Sequence, residues 1–246
     1  PGSRSADASR KYAPMAPTAL IVGAGSGISA SFARRLRGAG YDLALIARDP
    51  AKLTDLAAET DAQTFACDAT RSDQLLSVFT ELDRQHADLD VVLYNPSARA
   101  PGPITEIKMA DAASAINITA YGGFLVAQQA ARRMVPRGKG KILFTGASAS
   151  VKGYPNSSIF AMGKFALRGL ASALARELAP QGVHVAHFVI DGGVLNPAKG
   201  RVPGPDDPED RYLDPDAIAD AYMHIVNQPR SAWTWEIELR PWVEKF

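Results

Sequence analysis

Residues 18–40 read TALIVGAGSGISASFARRLRGAG, a short apolar strand that runs into a glycine-rich loop and then into a helix. The loop contains Gly23, Gly25 and Gly27, and glycine lets the backbone turn sharply and approach a ligand closely. The N-terminus of the next helix offers free N–H groups and the positive end of the helix dipole. This combination favours a pyrophosphate-binding loop over an ordinary turn between a strand and a helix.

Composition limits the classes of protein to consider. The chain has 246 residues with 46% hydrophobic content, enough for one sizeable core. A net charge of +1 argues against nucleic acid or an anionic membrane as a partner. Cys67 is the only cysteine, which excludes an internal disulfide and fits a reducing compartment. No stretch approaches the about 20 apolar residues that span a bilayer and no signal peptide is visible, so we expect a cytoplasmic protein.

The first residues have a different character from the rest. Residues 1–16 are rich in Ser, Ala, Arg and Pro and show no period, which predicts a flexible tail. Residues 1–3 resemble the remnant of a cleaved tag, and Met15 is a possible natural start. We expect residues 17–246 to form a single domain.

From residue 18 onward, apolar strand-like runs alternate with longer helical patterns. Strands are expected at 18–24, 42–47, 64–67, 90–95, 141–146, 183–190 and 235–240. Helices are expected near 26–39, 50–60, 71–87, 108–135, 156–180 and 214–227. The alternation predicts an α/β fold, a Rossmann-type doubly wound parallel sheet of about seven strands with helices on both faces. Ligands of such sheets bind beyond the carboxyl ends of the strands.

The end of the second strand indicates which dinucleotide would bind. An acidic residue there binds the ribose 2′-OH of NAD, whereas arginine accommodates a 2′-phosphate. Here Ala47 stands at the acid position and Arg48 follows it. Asp49 is better placed as the N-cap of a helix that begins at Pro50. The pattern therefore favours NADP(H), with NAD(H) as the alternative.

The next two strands also end in polar residues. Asp68 and Ala69 follow the third strand, where a carboxylate can accept a hydrogen bond from an adenine amino group or cap the next helix. Asn95 follows the fourth strand, where its amide can tie neighbouring strands together and hold a cofactor pocket open.

The order of these motifs resembles the short-chain dehydrogenase/reductase family over residues 18–240. The family motif TGxxxGIG appears at residues 22–29 with Ser29 in place of the last glycine, and NNAG appears at residues 94–97 with only the second Asn kept. The PG turn after the sixth strand appears as Asp191-Gly192. The resemblance implies that the cofactor contacts Gly23, Gly25, Ser26, Gly27, Ile28, Arg48, Asp68, Ala69, Asn95, Lys164, Gly192 and Val194.

The same resemblance implies the catalytic residues. Asn117 matches the helix asparagine that helps to hold a proton-relay water, and Ser148 matches the catalytic serine. Ser148 requires a one-residue shortening of the following loop, so Ser150 is the weaker alternative. The family's YxxxK appears as Phe160 to Lys164, with the lysine present and the tyrosine absent. A phenylalanine ring cannot transfer a proton, so only the lysine's cofactor role is implied intact.

Several groups are candidates for the missing acid. Tyr154 and Tyr121 are the nearby phenols by sequence, although a solvent-facing or core tyrosine is the better interpretation of each. A water relay through Lys164 and Asn117 is a third route. His184 and His187 lie on the sixth strand and are interpreted as satisfied sheet histidines, with no metal site.

Three functions remain open. The first is an NADPH-dependent reductase of a small carbonyl compound with a relocated acid. The second is a C=C reductase of the enoyl- or dienoyl-thioester type, although the longer Tyr–Lys spacing of those enzymes would put Ser157 at the tyrosine position. The third is a dinucleotide-binding protein without turnover.

Two further segments bear on substrate and assembly. Residues 192–213 form a long irregular stretch that predicts a lid, with Leu195 and Val202 as pocket-lining candidates. Its cations could pair with an anionic substrate group; they are Lys199, Arg201 and Arg211. The C-terminal segment holds all three tryptophans and favours a dimer or tetramer, with core closure as the alternative; they are Trp233, Trp235 and Trp242.

Overall fold

The computed structural model describes residues 16–245, so the predicted flexible tail lies outside these residues except for Ala16. The strands are β1 (Pro17–Val22), β2 (Asp42–Ala47), β3 (Gln63–Ala66), β4 (Asp88–Tyr94), β5 (Gly140–Thr145), β6 (Val183–Ile190), β7 (Gly193–Val194), β8 (Tyr212–Leu213) and β9 (Glu236–Leu239). Seven of them form one parallel sheet in the order β3-β2-β1-β4-β5-β6-β9. The predicted doubly wound sheet is confirmed.

Seven α-helices connect the strands within the described residues. They are α1 (Ile28–Gly38), α2 (Thr54–Thr60), α3 (Ser72–Arg84), α4 (Met109–Ile116), α5 (Gly122–Met134), α6 (Ser158–Leu178) and α7 (Pro215–Val226). The expected single helix over 108–135 was wrong in one respect, because a π-helical turn at Asn117–Tyr121 separates α4 from α5. Such insertions are frequent at functional sites.

Both faces of the sheet are buried, as a parallel sheet requires. On β4, Val92 and Tyr94 pack in the core beneath α3, α5 and α6, whereas Val91 and Leu93 pack in the core beneath α1 and α7. The alternation follows from the two-residue period of a strand. The continuous apolar run on β4 therefore serves two separate cores.

Helix α6 and the turn that follows it agree with the helix expected near 156–180, but they are more apolar than the sequence analysis allowed. The segment Ser158–Gln181 has the length and a mean hydropathy of 1.2 that would cross a membrane, so the statement that no stretch approaches a membrane span was wrong. In the fold, Leu167, Ala171 and Leu178 of this helix are buried in the core. Core packing accounts for part of this apolar character, because 33% of the most apolar window is buried.

The ends of two connections follow the predicted capping chemistry. Asp49 accepts a hydrogen bond from the Ala51 N–H at 3.2 Å, and Asp214 accepts one from the Asp216 N–H at 2.8 Å. The stretch 192–213 is less irregular than expected, because β7 and β8 pair near its two ends. This short ladder gives the predicted lid a fixed base.

Candidate active site

The glycine loop after β1 has the backbone geometry that its sequence predicts. Gly23 has φ of +75°, and a Cβ atom there would lie within 3 Å of the Pro96 ring. Gly27 caps α1 with φ of +87°, and no side chain bonds to the first N–H groups of the helix. A Cβ at Gly25 would meet nothing within 4 Å. The loop and the helix N-terminus formed by Gly25, Ser26, Gly27 and Ile28 therefore fit an anionic group such as a pyrophosphate.

Arg48 and Asp68 lie at the ends of neighbouring strands. Arg48 is exposed, and no ion pair involves it within residues 16–245. The Asp68 carboxylate accepts bonds from the N–H and the hydroxyl of Thr70 at 2.9 and 2.8 Å. These bonds, with the charges of Arg48 and Arg71, hold the pKa of Asp68 below its usual range. Ala69 continues this turn and is half-buried.

Asn95 ties the end of β4 to the glycine loop, as the sequence predicted. Its backbone N–H bonds to the Val22 carbonyl at 3.0 Å. Its side-chain amide donates to the Gly23 carbonyl and to the Ser29 hydroxyl, each at 3.4 Å. Ser29, in place of the family glycine, is buried and donates to the Gly25 carbonyl at 3.2 Å.

The two serine candidates after β5 differ in their environment. Ser150 is fully buried, and its hydroxyl accepts a hydrogen bond from the Ala147 N–H at 3.1 Å. Ser148 is half-buried, and its hydroxyl forms no hydrogen bond with the part of the chain that the structure describes. The geometry therefore favours Ser148 as the serine that is available to a ligand.

Phe160 and Lys164 lie one turn apart on α6, and both are buried. The Lys164 ammonium donates to the Thr145 carbonyl at the end of β5, with an Nζ–O distance of 2.7 Å. Burial, reinforced by the charge of Arg99, lowers the pKa of Lys164 to about 7. The guanidinium carbon of Arg99 lies 4.1 Å from the centre of the Phe160 ring. A cation therefore covers the ring that stands in place of the phenol.

Asn117 is not joined to this group by hydrogen bonds. It begins the π-helical turn, is exposed, and has no side-chain hydrogen bond among residues 16–245. Thr119 is buried instead, with its hydroxyl 3.0 Å from the Ala98 nitrogen. A Cβ at Gly163 would lie 3.0 Å from Thr119. Sequence reasoning missed Thr119. The one signal for it in the sequence was Gly163, whose missing side chain leaves space for Thr119.

Both candidate replacement tyrosines are partly exposed to solvent. Tyr121 is 49% exposed and stacks with Phe124 at 6.1 Å between ring centres. Tyr154 is 42% exposed and has the Lys152 ammonium 5.7 Å from its ring centre. Among the described residues, Tyr121 has no hydrogen bond through its phenol, whereas the Tyr154 phenol interacts with the Lys152 ammonium and raises the pKa of that lysine. The expectation of solvent-facing tyrosines agrees with these positions.

The two sheet histidines differ. His184 is satisfied by the Thr234 carbonyl at 2.8 Å and stacks on Trp233. His187 bonds through Nδ1 to Glu236 at 3.1 Å, but its buried Nε2 has no hydrogen-bond partner in the described chain. Burial lowers the pKa of His187 to about 4 despite the nearby Glu236 carboxylate. Within residues 16–245, no group of His, Cys, Asp and Glu could hold a metal ion.

The turn after β6 begins with an acid where the family has proline. Asp191 is buried and pairs with Arg240 at 2.6 Å and with Lys152 at 3.4 Å. Gly192 follows with φ of +149°, and Val194 lies in β7. These ion pairs lie directly before the segment 192–213 that is predicted to be a lid.

The lid contacts the glycine loop through Asn196. Its side-chain amide donates to the Ser26 carbonyl at 3.1 Å. Arg211 of the lid pairs with Asp207 at 3.0 Å, whereas Lys199 and Arg201 form no ion pair within the described residues. Leu195 is half-buried and Val202 is 49% exposed. Sequence reasoning did not single out Asn196.

Comparison with known proteins agrees with this geometry. The family model for short chain dehydrogenase matches residues 17–199. An uncharacterized oxidoreductase of Staphylococcus aureus is 26% identical over 226 residues, which cover 91% of this chain and 96% of that protein.

Solved structures are similar over almost the whole chain. A short-chain dehydrogenase from Rhodopseudomonas palustris is 34% identical with a TM-score of 0.79, and the match covers 93% of this chain and 100% of that one. A metagenomic short-chain oxidoreductase in complex with NADP is 25% identical with a TM-score of 0.80, covering 93% and 98% of the two chains.

Proposed function

The chain belongs to the short-chain dehydrogenase family, and on that premise we propose that it is an NADP(H)-dependent oxidoreductase with a proton donor other than tyrosine. It transfers a hydride between the nicotinamide and a small carbonyl or alcohol substrate. One observation carries the proposal: the available Ser148 hydroxyl and the buried Lys164 ammonium lie at the carboxyl end of β5. The uncapped N-terminus of α1 opens at the same edge of the sheet.

The binding residues fit a phosphorylated dinucleotide. Bound NADP(H) would supply or accept the hydride at its nicotinamide ring. Gly23, Gly25 and Gly27 would hold the pyrophosphate at the N-terminus of α1. The Asp68 carboxylate would accept a hydrogen bond from the adenine amino group. Arg48 has no carboxylate partner among the described residues and is free to pair with a 2′-phosphate. The NADP carried by the metagenomic relative supports the same cofactor class.

Ser148 and Lys164 would have different roles at the substrate, orientation for Ser148 and proton donation for Lys164. The Ser148 hydroxyl would donate to the substrate oxygen and orient its carbonyl carbon toward the hydride. We place the proton donor at Lys164, because an amine with a pKa of about 7 both releases and recovers a proton near neutral pH. The buried Phe160 ring excludes water from the site without taking part in proton transfer.

The test is oxidation of NADPH by the pure protein with aldehyde, ketone and enoyl-thioester substrates. We expect turnover of carbonyl compounds with NADPH. Turnover of the enoyl thioesters alone would make the protein a C=C reductase. NADPH binding with no turnover of any substrate would make it a non-catalytic dinucleotide-binding protein, and either result would contradict the proposal.

Cofactor choice has its own test at Arg48. We expect the Arg48→Ala variant to bind NADPH about 10- to 100-fold more weakly and NADH unchanged, because a charge-assisted phosphate pair is lost. Lys52→Ala removes a nearby exposed cation and serves as the control. Equal losses for both cofactors, measured by nicotinamide fluorescence, would reject the NADP(H) assignment.

A further inference from the structure

Asp191 is a buried carboxylate at the carboxyl end of β6 that the proposed chemistry does not use. Its side chain is only 3% exposed, and one of its oxygens, Oδ2, contacts two cations. The Arg240 guanidinium lies 2.6 Å from this oxygen, and the Lys152 ammonium lies 3.4 Å from it. A buried ion pair adds little net stability, because the cost of removing its charges from water offsets their attraction. The arrangement is better explained by the parts of the chain that it holds together.

The two cations come from different segments. Lys152 lies two residues beyond the turn Ser148–Ser150, which we call the serine turn. The backbone N–H of Lys152 bonds to the Ser148 carbonyl at 3.0 Å, and no other residue of the segment 146–157 is charged. Arg240 directly follows β9, the edge strand of the sheet. Asp191 therefore joins the serine turn to the sheet edge.

Asp191 itself stands on fixed backbone. Its N–H bonds to the Leu239 carbonyl at 2.8 Å, beside the β6–β9 ladder. Gly192 follows with φ of +149°, and a Cβ atom there would lie 2.7 Å from the Pro241 ring. The next two residues form β7, at the start of the predicted lid. The carboxylate is therefore a fixed point for the Lys152 ammonium between the serine turn and the lid.

We propose that Asp191 is a positioning residue: through Lys152 it holds the serine turn at a set distance from the lid, so that the Ser148 hydroxyl faces the substrate oxygen. The inference rests on the proposed function, in which Ser148 orients that oxygen. Because the Ser148 hydroxyl forms no hydrogen bond with the described chain, its backbone decides where it lies. A displacement of about 1 Å at an orienting group can cost about 100-fold in rate.

The test measures kcat for an uncharged ketone in Lys152→Met and Asp191→Asn. We expect each variant to lose about 10-fold in kcat because the serine turn is released, while the Kd for NADPH changes by less than about threefold. Asp191→Asn also removes a buried charge beside Arg240 and lowers stability. Lys152→Met, at a side chain that is 35% exposed, is therefore the decisive variant. Lys152→Arg keeps the ion pair and should retain about half or more of the parent kcat.

Two comparisons separate positioning from a general effect on the fold. Lys139→Met removes another lysine–aspartate ion pair, of 2.8 Å to Asp88 at the amino end of β4, and should leave kcat unchanged. In the Ser148→Ala enzyme, Lys152→Met should cost no more than about twofold in kcat, because the group that it positions is already absent. Losses that multiply would show that Lys152 acts elsewhere and would overturn the inference.

Failure of this inference is distinguishable from failure of the proposed function. A Lys152→Met enzyme as fast as an active parent would overturn the positioning role and leave the oxidoreductase in place. A greater loss in NADPH affinity than in kcat would assign the pair to the cofactor and overturn the role too.

If no substrate turned over, the proposed function would fail, and amide hydrogen exchange would decide whether the ion pair holds the turn. The Val151 and Lys152 amides both bond to the Ser148 carbonyl at 3.0 Å. In Lys152→Met they should exchange about 10-fold faster than in the parent or in Lys139→Met. Equal exchange rates in the three proteins would overturn the inference.

Discussion

Lys164 owes its proposed role to its surroundings more than to its identity. An exposed lysine keeps its proton up to about pH 10 and is a poor acid at neutral pH. Lys164 is only 2% exposed, and its charge is further disfavoured by Arg99. Its single hydrogen bond to the Thr145 carbonyl does not offset these two effects. The amine is consequently near its titration point at physiological pH.

This titration gives the first prediction. A proton donor must be protonated, so kcat/KM for reduction should be highest below pH 7 and fall about tenfold per pH unit above it. Steady-state rates with an uncharged ketone substrate across pH 5.5–9.5, about the range in which His and perturbed Lys titrate, give the profile. Arg99→Gln removes a neighbouring positive charge, raises the pKa of Lys164 and should move the falling limb upward. A profile flat to pH 9, about two units above that pKa, would place the donor elsewhere.

Phe160 gives the second prediction. Phe160→Tyr adds a phenol one helical turn from Lys164, and a positioned general acid contributes about 10²- to 10⁴-fold. We expect kcat for carbonyl reduction to rise by about 10²-fold, with NADPH affinity unchanged. Phe165→Tyr, on the exposed side of the same helix, should change neither quantity. A Phe160→Tyr enzyme no faster than the parent would show that the native donor is already sufficient.

The residues of the site could be predicted from the sequence where local spacing places them. The four-residue spacing puts Phe160 and Lys164 on one face of α6, and the capping chemistry of Asp49 is set within three residues. Arg99 could not be found in this way, because it reaches Phe160 from a loop more than 60 residues earlier in the chain. Contacts of that kind depend on the tertiary fold.

At the scale of elements, the π-helical turn decides which side chains meet α6. It exposes Asn117 and turns Thr119 toward Gly163. The hydroxyl of buried Tyr94, at the end of β4, donates to the Ile118 carbonyl within this turn. A Cβ at Gly122 would collide with the same hydroxyl. Tyr94 therefore holds the turn against the sheet.

The third prediction follows from this contact. Tyr94→Phe removes the donor to the carbonyl of half-buried Ile118, and we expect the free energy of unfolding to fall by about 1–3 kcal/mol. Because the turn also positions Thr119 and the Arg99 loop, kcat/KM should fall as well. Tyr41→Phe removes another buried hydroxyl bond, to Asp90, far along the chain from the site. That control should lose stability in urea denaturation and keep its activity; equal activity in both variants would contradict the positioning role.

The boundaries of most elements could also be predicted, because most strands of the large sheet are apolar runs bounded by polar residues. Strands β2 and β6 agree with their expected ranges at both ends. The π-helical turn and the β7–β8 ladder could not be predicted, because neither produces a recognisable hydrophobic period in the sequence. The first keeps the helical spacing almost intact, and the second consists of two-residue strands joined across the lid.

At the scale of the whole molecule, the sheet order brings the site together. Strand β1 lies between β2 and β4, so the glycine loop, Arg48 and Asn95 meet at one edge.

Two of the three tryptophans of the C-terminal segment contact other residues of the same chain. Trp233 stacks on His184, and Trp235 lies 5.5 Å from the Arg176 guanidinium. Of the three, only Trp242 is largely exposed, at 79%.

Self-association remains a prediction, and the structure changes where we expect it. Only 33% of the most apolar window of α6 is buried, and the exposed large apolar side chains nearby are Tyr121, Phe124, Met162 and Phe165. Such a patch is characteristic of an interface. We expect the parent chain to sediment as a dimer or larger species, and the Met162→Glu/Phe165→Glu double variant to sediment as a 26.2 kDa monomer. Dissociation by Trp242→Ala instead would assign the interface to the C-terminal segment, and a monomeric parent chain would contradict self-association altogether.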